Sequence, residues 1–243
     1  MEVKLVHLYP DVMSLYGGYA NIAVLGRTLE GLGAAVTVEK IGYGDSADFA
    51  FADFIYMGAG TERTQKYALE KLAARADDLK AAVDRGVPAL FTGNAMELLG
   101  KSVTDAGGRA WPCLGLADYA TVETDKRDPV DVIAHSPLLE RPAVGFMNKC
   151  STTSGVTAPL FDRLSLGFGN EAKGGPEGYV DGNLFATHLT GPVLVKNPEL
   201  LALMIRRIFA YKGWEAPEAV PALPHQAEAY EVTLSELSAR AKG

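Results

Sequence analysis

The stretch VKLVHLYPDVMSLYGGYANIAVLGRTLEGLGAAVTVEKI, residues 3–41, decides the fold. It opens on an apolar run, Val3 to Leu8, that reads as a strand. Tyr19 to Leu32 then places Ile22, Leu25, Leu29 and Leu32 on one side at helical spacing. Gly33 follows as a stop, because glycine accepts the left-handed backbone that ends a helix. Ala35 to Ile41 reads as a second strand. Strand, helix and strand in so short a span make a βαβ unit, which calls for parallel strands.

The same alternation continues outward. Phe54 to Met57 is a third strand, Tyr67 to Arg85 is helical, and Ala89 to Thr92 is a short fourth strand running into a turn at Gly93-Asn94. The predicted class is therefore α/β, with a mainly parallel open sheet and helices on both faces. Val3–Leu8, Ala35–Ile41, Phe54–Met57 and Ala89–Thr92 are expected as neighbours in that sheet, within one domain over residues 1–212. From Ala110 to Leu194 the segments are short, strand-like and punctuated by Gly, Asn and Pro, as in Val130–Ala134, Val144–Met147 and Leu184–Thr187. They are expected as antiparallel additions to the same sheet. Pro198 to Tyr211 reads as a last helix of the domain. In residues 213–243, Pro217, Pro221 and Pro224 stiffen a linker, and Val232, Leu234, Leu237 and Ala241 mark an amphipathic tail at about residues 232–241 that docks on the body or on a partner.

Composition narrows the function. Lys and Arg total 23 against 30 acids, a net charge of −7, which speaks against a nucleic-acid binder resting on a basic surface. No apolar run reaches the roughly 18 residues of a membrane span. The opening MEVKLVHLYPD lacks the basic flank and long apolar core of a secretory signal, so a cytoplasmic location is expected. Cys113 and Cys150 have no metal-type or redox-type spacing, so no metal or cofactor is implied.

Ligands of open parallel sheets bind at the carboxyl ends of the strands. After the third strand come Gly58-Ala59-Gly60-Thr61. Their glycines fit either an anion-binding run of backbone N–H groups or a turn imposed by close packing. After the fourth come Thr92-Gly93-Asn94, with the strand–turn–helix order of a nucleophile elbow, or simply a helix start capped by Asn94.

Three further stretches carry a resemblance: VGFMNK at Val144–Lys149, LGFGNEAKGGPEGY at Leu166–Tyr179 and NLFATHLTGPVLVKNPEL at Asn183–Leu200. Together with DVMSLYGGYANIAVLGRTLEGLG at Asp11–Gly33 and the elbow region, they resemble the class I glutamine amidotransferase family, with its flavodoxin-like core. The similarity runs in order from about His7 to Tyr211 and points to the CobB/CobQ-type branch, which holds cobyric acid synthase domains and the GatD subunits of lipid II isoglutaminyl synthase. The resemblance implies an elbow cysteine that attacks the glutamine carboxamide and a histidine on a later strand that moves the proton. It also implies an oxyanion hole after the third strand, and ammonia passing to a Mur-ligase-like (MurT-type) partner in cell-wall precursor amidation.

The family elbow resembles Ile-Cys-Gly-Gly-Tyr-Gln-Leu-Leu-Gly, and registering its end on Glu97-Leu98-Leu99-Gly100 puts Gly93 at the cysteine position. The family strand resembles Gly-Thr-Tyr-Leu-His-Gly-Pro, which puts Thr190 at the histidine position. Thr92 offers only an unassisted alcohol, a poor nucleophile. His188 lies two residues before Thr190, on the same side of a strand and about 7 Å away, and reads as a site residue or as a satisfied structural histidine. Cys150 reads as a small buried or edge residue, and Cys113 follows Trp111-Pro112 with no histidine near it in sequence, so neither restores the dyad. Arg127 resembles a substrate-contacting arginine, which a carboxylate would pair with bidentately, or else is an exposed charge in a polar turn. Glu199 falls where the family has an orienting acid, or else serves as first-turn helix charge.

The resulting candidate pocket is Gly58, Ala59, Gly60, Thr92, Asn94, Arg127 and His188 around Gly93 and Thr190. The leading expectation is an amidotransferase-family subunit without thiol-based glutamine hydrolysis, paired with a Mur-ligase-like partner and able to hold glutamine or a small carboxamide. The alternatives are a working amidotransferase with non-standard residues and a small-molecule binding module on the same scaffold.

Overall fold

A computed structural model describes residues 1–221 and 223–242. The main sheet has six strands in the order β10-β11-β4-β3-β1-β2. They are β1 (Glu2–Leu8), β2 (Ala35–Ile41), β3 (Phe54–Met57), β4 (Ala89–Thr92), β10 (Tyr179–Asp181) and β11 (Leu184–Thr187). All pair in parallel except β10, which runs antiparallel to β11 at the edge.

Side chains alternate across this sheet, and both faces are buried. Leu5, Tyr56, Leu90 and Phe185 point to one core, with Ile22, Leu25 and Leu29 of α1 (Tyr19–Gly31) and Leu200, Met204 and Ile208 of α5 (Pro198–Tyr211). Val6, Ile55, Phe91 and Ala186 point to the other, with Leu69 and Leu72 of α2 (Glu62–Ala73) and Leu79 of α3 (Ala76–Asp84). Two covered faces explain why the central strands read as near-continuous apolar runs. The helical stretch expected at Tyr67–Arg85 is two helices, broken where Arg75 leaves helical geometry (φ −124°, ψ 18°).

The middle of the chain departs from expectation. Apart from β10 and β11, its strands build a second, five-stranded sheet. Its spine is the antiparallel pair β7 (Ala120–His135) and β8 (Ala143–Ser154). The outer edge of β7 is shared by β5 (Ser102–Thr104), itself paired with β6 (Ala110–Pro112), and by β9 (Arg163–Leu166). A physical reason is length: sixteen-residue β7 far overhangs the four-residue strands β3, β4 and β11, so its hairpin partner satisfies its backbone instead. The two sheets meet where Thr190 N–H donates to the Phe146 carbonyl at 2.8 Å.

A short helix α4 (Val193–Lys196) leads into α5, and after the proline-containing segment comes α6 (Gln226–Lys242). This last helix starts at Gln226, well before the apolar spacing predicts, and it lies docked on the second sheet. Tyr230 and Leu237 are buried against Ile133 and Val144, whereas Val232 and Ala241 face solvent. Among the described residues no helix is long and apolar enough to cross a membrane.

Candidate active site

Because β11, β4 and β3 are parallel neighbours, their carboxyl ends converge, bringing residues 58–62, 93–97 and 188–190 together. The opposite wall comes from the second sheet, where the β7–β8 register breaks between Glu123 and Asp128 and turns Arg127 inward opposite Asn148, Lys149 and Cys150. Between them lies a cavity of about 190 Å³.

Gly93 follows β4 with φ +63°, a left-handed turn that glycine takes without strain. A Cβ on Gly93 would lie 2.5 Å from the Cβ of Ala59 and 3.2 Å from Cγ2 of Thr190, so these three residues are in contact across the strand ends. Residues 93–99 form a 3₁₀ turn rather than an α-helix, and the Asn94 side chain does not cap it. Instead Asn94 Oδ1 accepts from the Gly60 N–H, and Asn94 Nδ2 donates to the Gly60 carbonyl, both at 3.0 Å.

Gly58 does not line the cavity, and a Cβ there would meet the Met13 carbonyl at 2.6 Å; a Cβ on Gly60 would overlap Met13 and Thr64. Close packing accounts for both glycines. Thr92 is also outside the cavity, buried and hydrogen-bonded at 3.0 Å to the Tyr56 hydroxyl, which Asn21 engages in turn. Its hydroxyl is a packing group here.

His188 lines the cavity and is buried, 1% exposed. The fully buried Glu177 carboxylate accepts from three donors, Thr187 Oγ1 (2.6 Å), the His188 N–H (2.7 Å) and His188 Nδ1 (3.1 Å). With Nδ1 donating, Nε2 is left toward Thr153 Oγ1 at 3.3 Å and Glu97 Oε1 at 3.8 Å. The acid that orients this histidine is Glu177. Glu199 sits elsewhere, in the first turn of α5, accepting from the Arg141 N–H.

Arg127 lines the cavity, already engaged. Its Nη2 meets Glu62 Oε1 at 2.6 Å and Nη1 donates to the Asn148 carbonyl at 2.9 Å. Burial acts to raise the Glu62 carboxyl, but the Arg127 guanidinium and hydrogen bonds from the backbone and the Cys150 thiol together outweigh it and hold the group below the usual range.

Several cavity residues escaped the sequence reading. Glu97 accepts from Gln65 and Ser151, and buried Lys66 pairs with Glu123. Lys149 is held by the carbonyls of Gly169 and Asn170, and burial lowers its ammonium below the usual range. Cys150 is no incidental edge residue: its thiol lines the cavity 3.4 Å from Glu62 Oε1. Burial and the Glu62 charge push that thiol up to about 12. Cys113 is away from the cavity, its thiol also raised to about 12 by burial.

Comparison with known proteins places this geometry. Residues 4–198 match the CobB/CobQ-like glutamine amidotransferase domain. The chain is similar to the lipid II isoglutaminyl synthase (glutamine-hydrolyzing) subunit GatD of Staphylococcus aureus (strain N315), 28% identical over 212 residues, covering 87% of this chain and 86% of that one. It is likewise 28% identical over 202 residues to the GatD subunit of Streptococcus pneumoniae (strain ATCC BAA-255 / R6), covering 82% of this chain and 77% of the relative. In fold it resembles the solved structure of PurLQS from Thermotoga maritima, with a TM-score of 0.51 at 14% identity, covering 87% of this chain and 97% of that one. With the family match spanning most of its length, the chain belongs to the CobB/CobQ-like glutamine amidotransferase domain family.

Proposed function

We propose that this chain is the amidotransferase-fold subunit of an enzyme that amidates a lipid II-type cell-wall precursor, working with a Mur-ligase-like partner, and that it does not itself release ammonia from glutamine through a thioester. The precursor class is taken from the two GatD relatives, of which this chain covers most of the length. One observation carries the chemical half of the proposal: Gly93, at the elbow, has no side chain and is packed against Ala59 and Thr190.

Thioester hydrolysis needs a nucleophile at the turn, a base in reach of it and free donors for the oxyanion. Gly93 supplies no nucleophile, and the Thr190 hydroxyl, which donates to the Phe146 carbonyl at 3.1 Å, is no base near neutral pH. The Gly60 N–H, on the loop where an oxyanion donor belongs, is spent on Asn94. In this reading the chain supports its ligase partner structurally, and ammonia reaches the ligase from solution.

The test pairs the purified chain with a candidate Mur-ligase-like partner and measures precursor amidation. The expected result is a stable complex whose amidation runs on ammonium and not on glutamine. Glutamine-driven amidation accompanied by glutamate release would overturn the proposal.

A further inference from the structure

An amino-acid amide presents two groups to a pocket of this kind, a carboxamide at one end and an α-carboxylate at the other. Both chemistries are already present in the cavity, supplied by the protein. The Asn94 carboxamide lies against the loop after β3, its oxygen accepting from the Gly60 N–H and its nitrogen donating to the Gly60 carbonyl. That reciprocal pair fixes the amide orientation, since reversing it would face donor to donor and acceptor to acceptor. The Glu62 carboxylate lies against the cavity's arginine, and the same Oε1 that meets Arg127 Nη2 at 2.6 Å also receives the Cys150 thiol at 3.4 Å.

From this we infer that the cavity is self-liganded: Asn94 and Glu62 stand in for the carboxamide and carboxylate of a glutamine-like ligand and keep such ligands out. The inference goes beyond the absence of hydrolysis, because it denies binding as well, and with it any role as a glutamine sensor. Its physical basis is competition. An incoming carboxylate competes with the Glu62 carboxylate for Arg127, and the tethered group has the entropic advantage. An incoming carbonyl oxygen finds the Gly60 donor occupied. Glu62 is the first residue of α2 and Asn94 lies in the 3₁₀ turn after β4, so both stand-ins are carried on well-anchored elements.

The experiment is calorimetric titration of L-glutamine into the full chain and into the Glu62→Ala/Asn94→Ala variant, with a third protein adding Arg127→Ala. The wild-type protein is expected to show no saturable heat, and the double variant to bind at least about tenfold more tightly. Arg127→Ala is expected to remove that gain. Hydrogen exchange on the wild-type protein supplies a reading that needs no variant: the Gly60 amide is expected to be strongly protected. Saturable glutamine binding by the wild-type chain without glutamate release would overturn this inference and leave the proposed function standing. Glutamate release would overturn both. A folded double variant that binds no better than wild type, or a Gly60 amide that exchanges freely, would also overturn the inference.

Discussion

The Cβ of Ala59 occupies the space that a side chain on Gly93 would need, 2.5 Å from where the first carbon of such a side chain would fall. The contact joins the loop after β3 to the turn after β4, and it makes residue 59 a determinant of what residue 93 can be. Gly93→Ala is expected to cost about 2–4 kcal/mol, from the positive φ of +63° together with the overlap. Adding Ala59→Gly removes the overlap and leaves the backbone term, about 1 kcal/mol. Urea unfolding of the two variants and of Ala59→Gly checks this. Equal stability losses for Gly93→Ala with and without Ala59→Gly would show that Ala59 is not the obstacle.

The parts legible in the sequence were those whose physics is local. β1, β3 and β4 announce themselves because both faces are buried, and the Gly33 stop fixes the end of α1 to within a residue or two. β7 did not, because Glu123 to Asp128 is a charged, largely exposed run with no alternating apolar face, so nothing in it signals a long strand with its own sheet. The α6 boundary was hidden for a similar reason: its docking residues, Gln226 and Tyr230, are polar or amphipathic and act through hydrogen bonds to the carbonyls of Leu194, Val195 and Pro142. Within the cavity, similarity of local motifs located Gly93 and Thr190. Glu62, Glu97, Glu123 and Glu177 sit on different elements, and only the tertiary fold brings them near one another. Asn94 was readable as a helix cap because Asn before an apolar run fits that pattern; its partner, Gly60, is visible only in space.

Acid should weaken the fold through His7. This side chain is 1% exposed, packs its ring on Tyr56, and has no hydrogen-bond partner for Nε2 among the described residues. Burial, reinforced by Lys40, lowers it from 6.5 to about 4. Between those pH values the unfolded chain binds the proton and the folded chain does not, so stability falls as pH drops from about 6.5 toward 4. The loss from this residue is of the order of 3 kcal/mol. His7→Phe is expected to flatten that part of the stability–pH curve, measured by urea midpoints at intervals from pH 7 to pH 4, in units where an unchanged slope rejects the assignment.

The docking face of α6 separates two substitutions that look alike on paper. Leu237 is 5% exposed against Ile133 and Val144, while Val232 is 58% exposed. Leu237→Ala is expected to cost about 2 kcal/mol, and Val232→Ala to stay within about 0.5 kcal/mol. Deleting residues 214–243 is expected to lower the thermal midpoint while unfolding stays cooperative, because the two cores around the main sheet are built largely from residues before 212. Loss of a cooperative transition on deletion would place α6 within the folding unit.

The chemistry can be tested without a partner. In a serine-protease triad, removing the triad residues leaves only about 10³–10⁴-fold over water from the oxyanion hole and binding. Here one backbone donor of that kind, the Gly60 N–H, already serves Asn94, which lowers even that residue of catalysis. Cys150 lines the cavity, and with burial and the Glu62 charge pushing its thiol up to about 12 it is held as the unreactive thiol near neutral pH. The purified chain is therefore expected to release no glutamate above buffer and to gain no mass from a glutamine-mimicking chloroketone at residues 92–94. Glutamate release at ordinary amidotransferase rates, abolished by Thr92→Ala or His188→Ala, would reverse this reading. The constructive counterpart follows from the contacts around Gly93. Gly93→Cys with Thr190→His supplies a thiol and an imidazole but leaves the thiol's Cβ against Ala59 and the Gly60 donor engaged. Glutaminase activity is expected only when Ala59→Gly, Asn94→Gly and Glu62→Ala are added to that pair, and appearance of full activity in Gly93→Cys/Thr190→His alone would show that none of Ala59, Asn94 and Glu62 stands in the way.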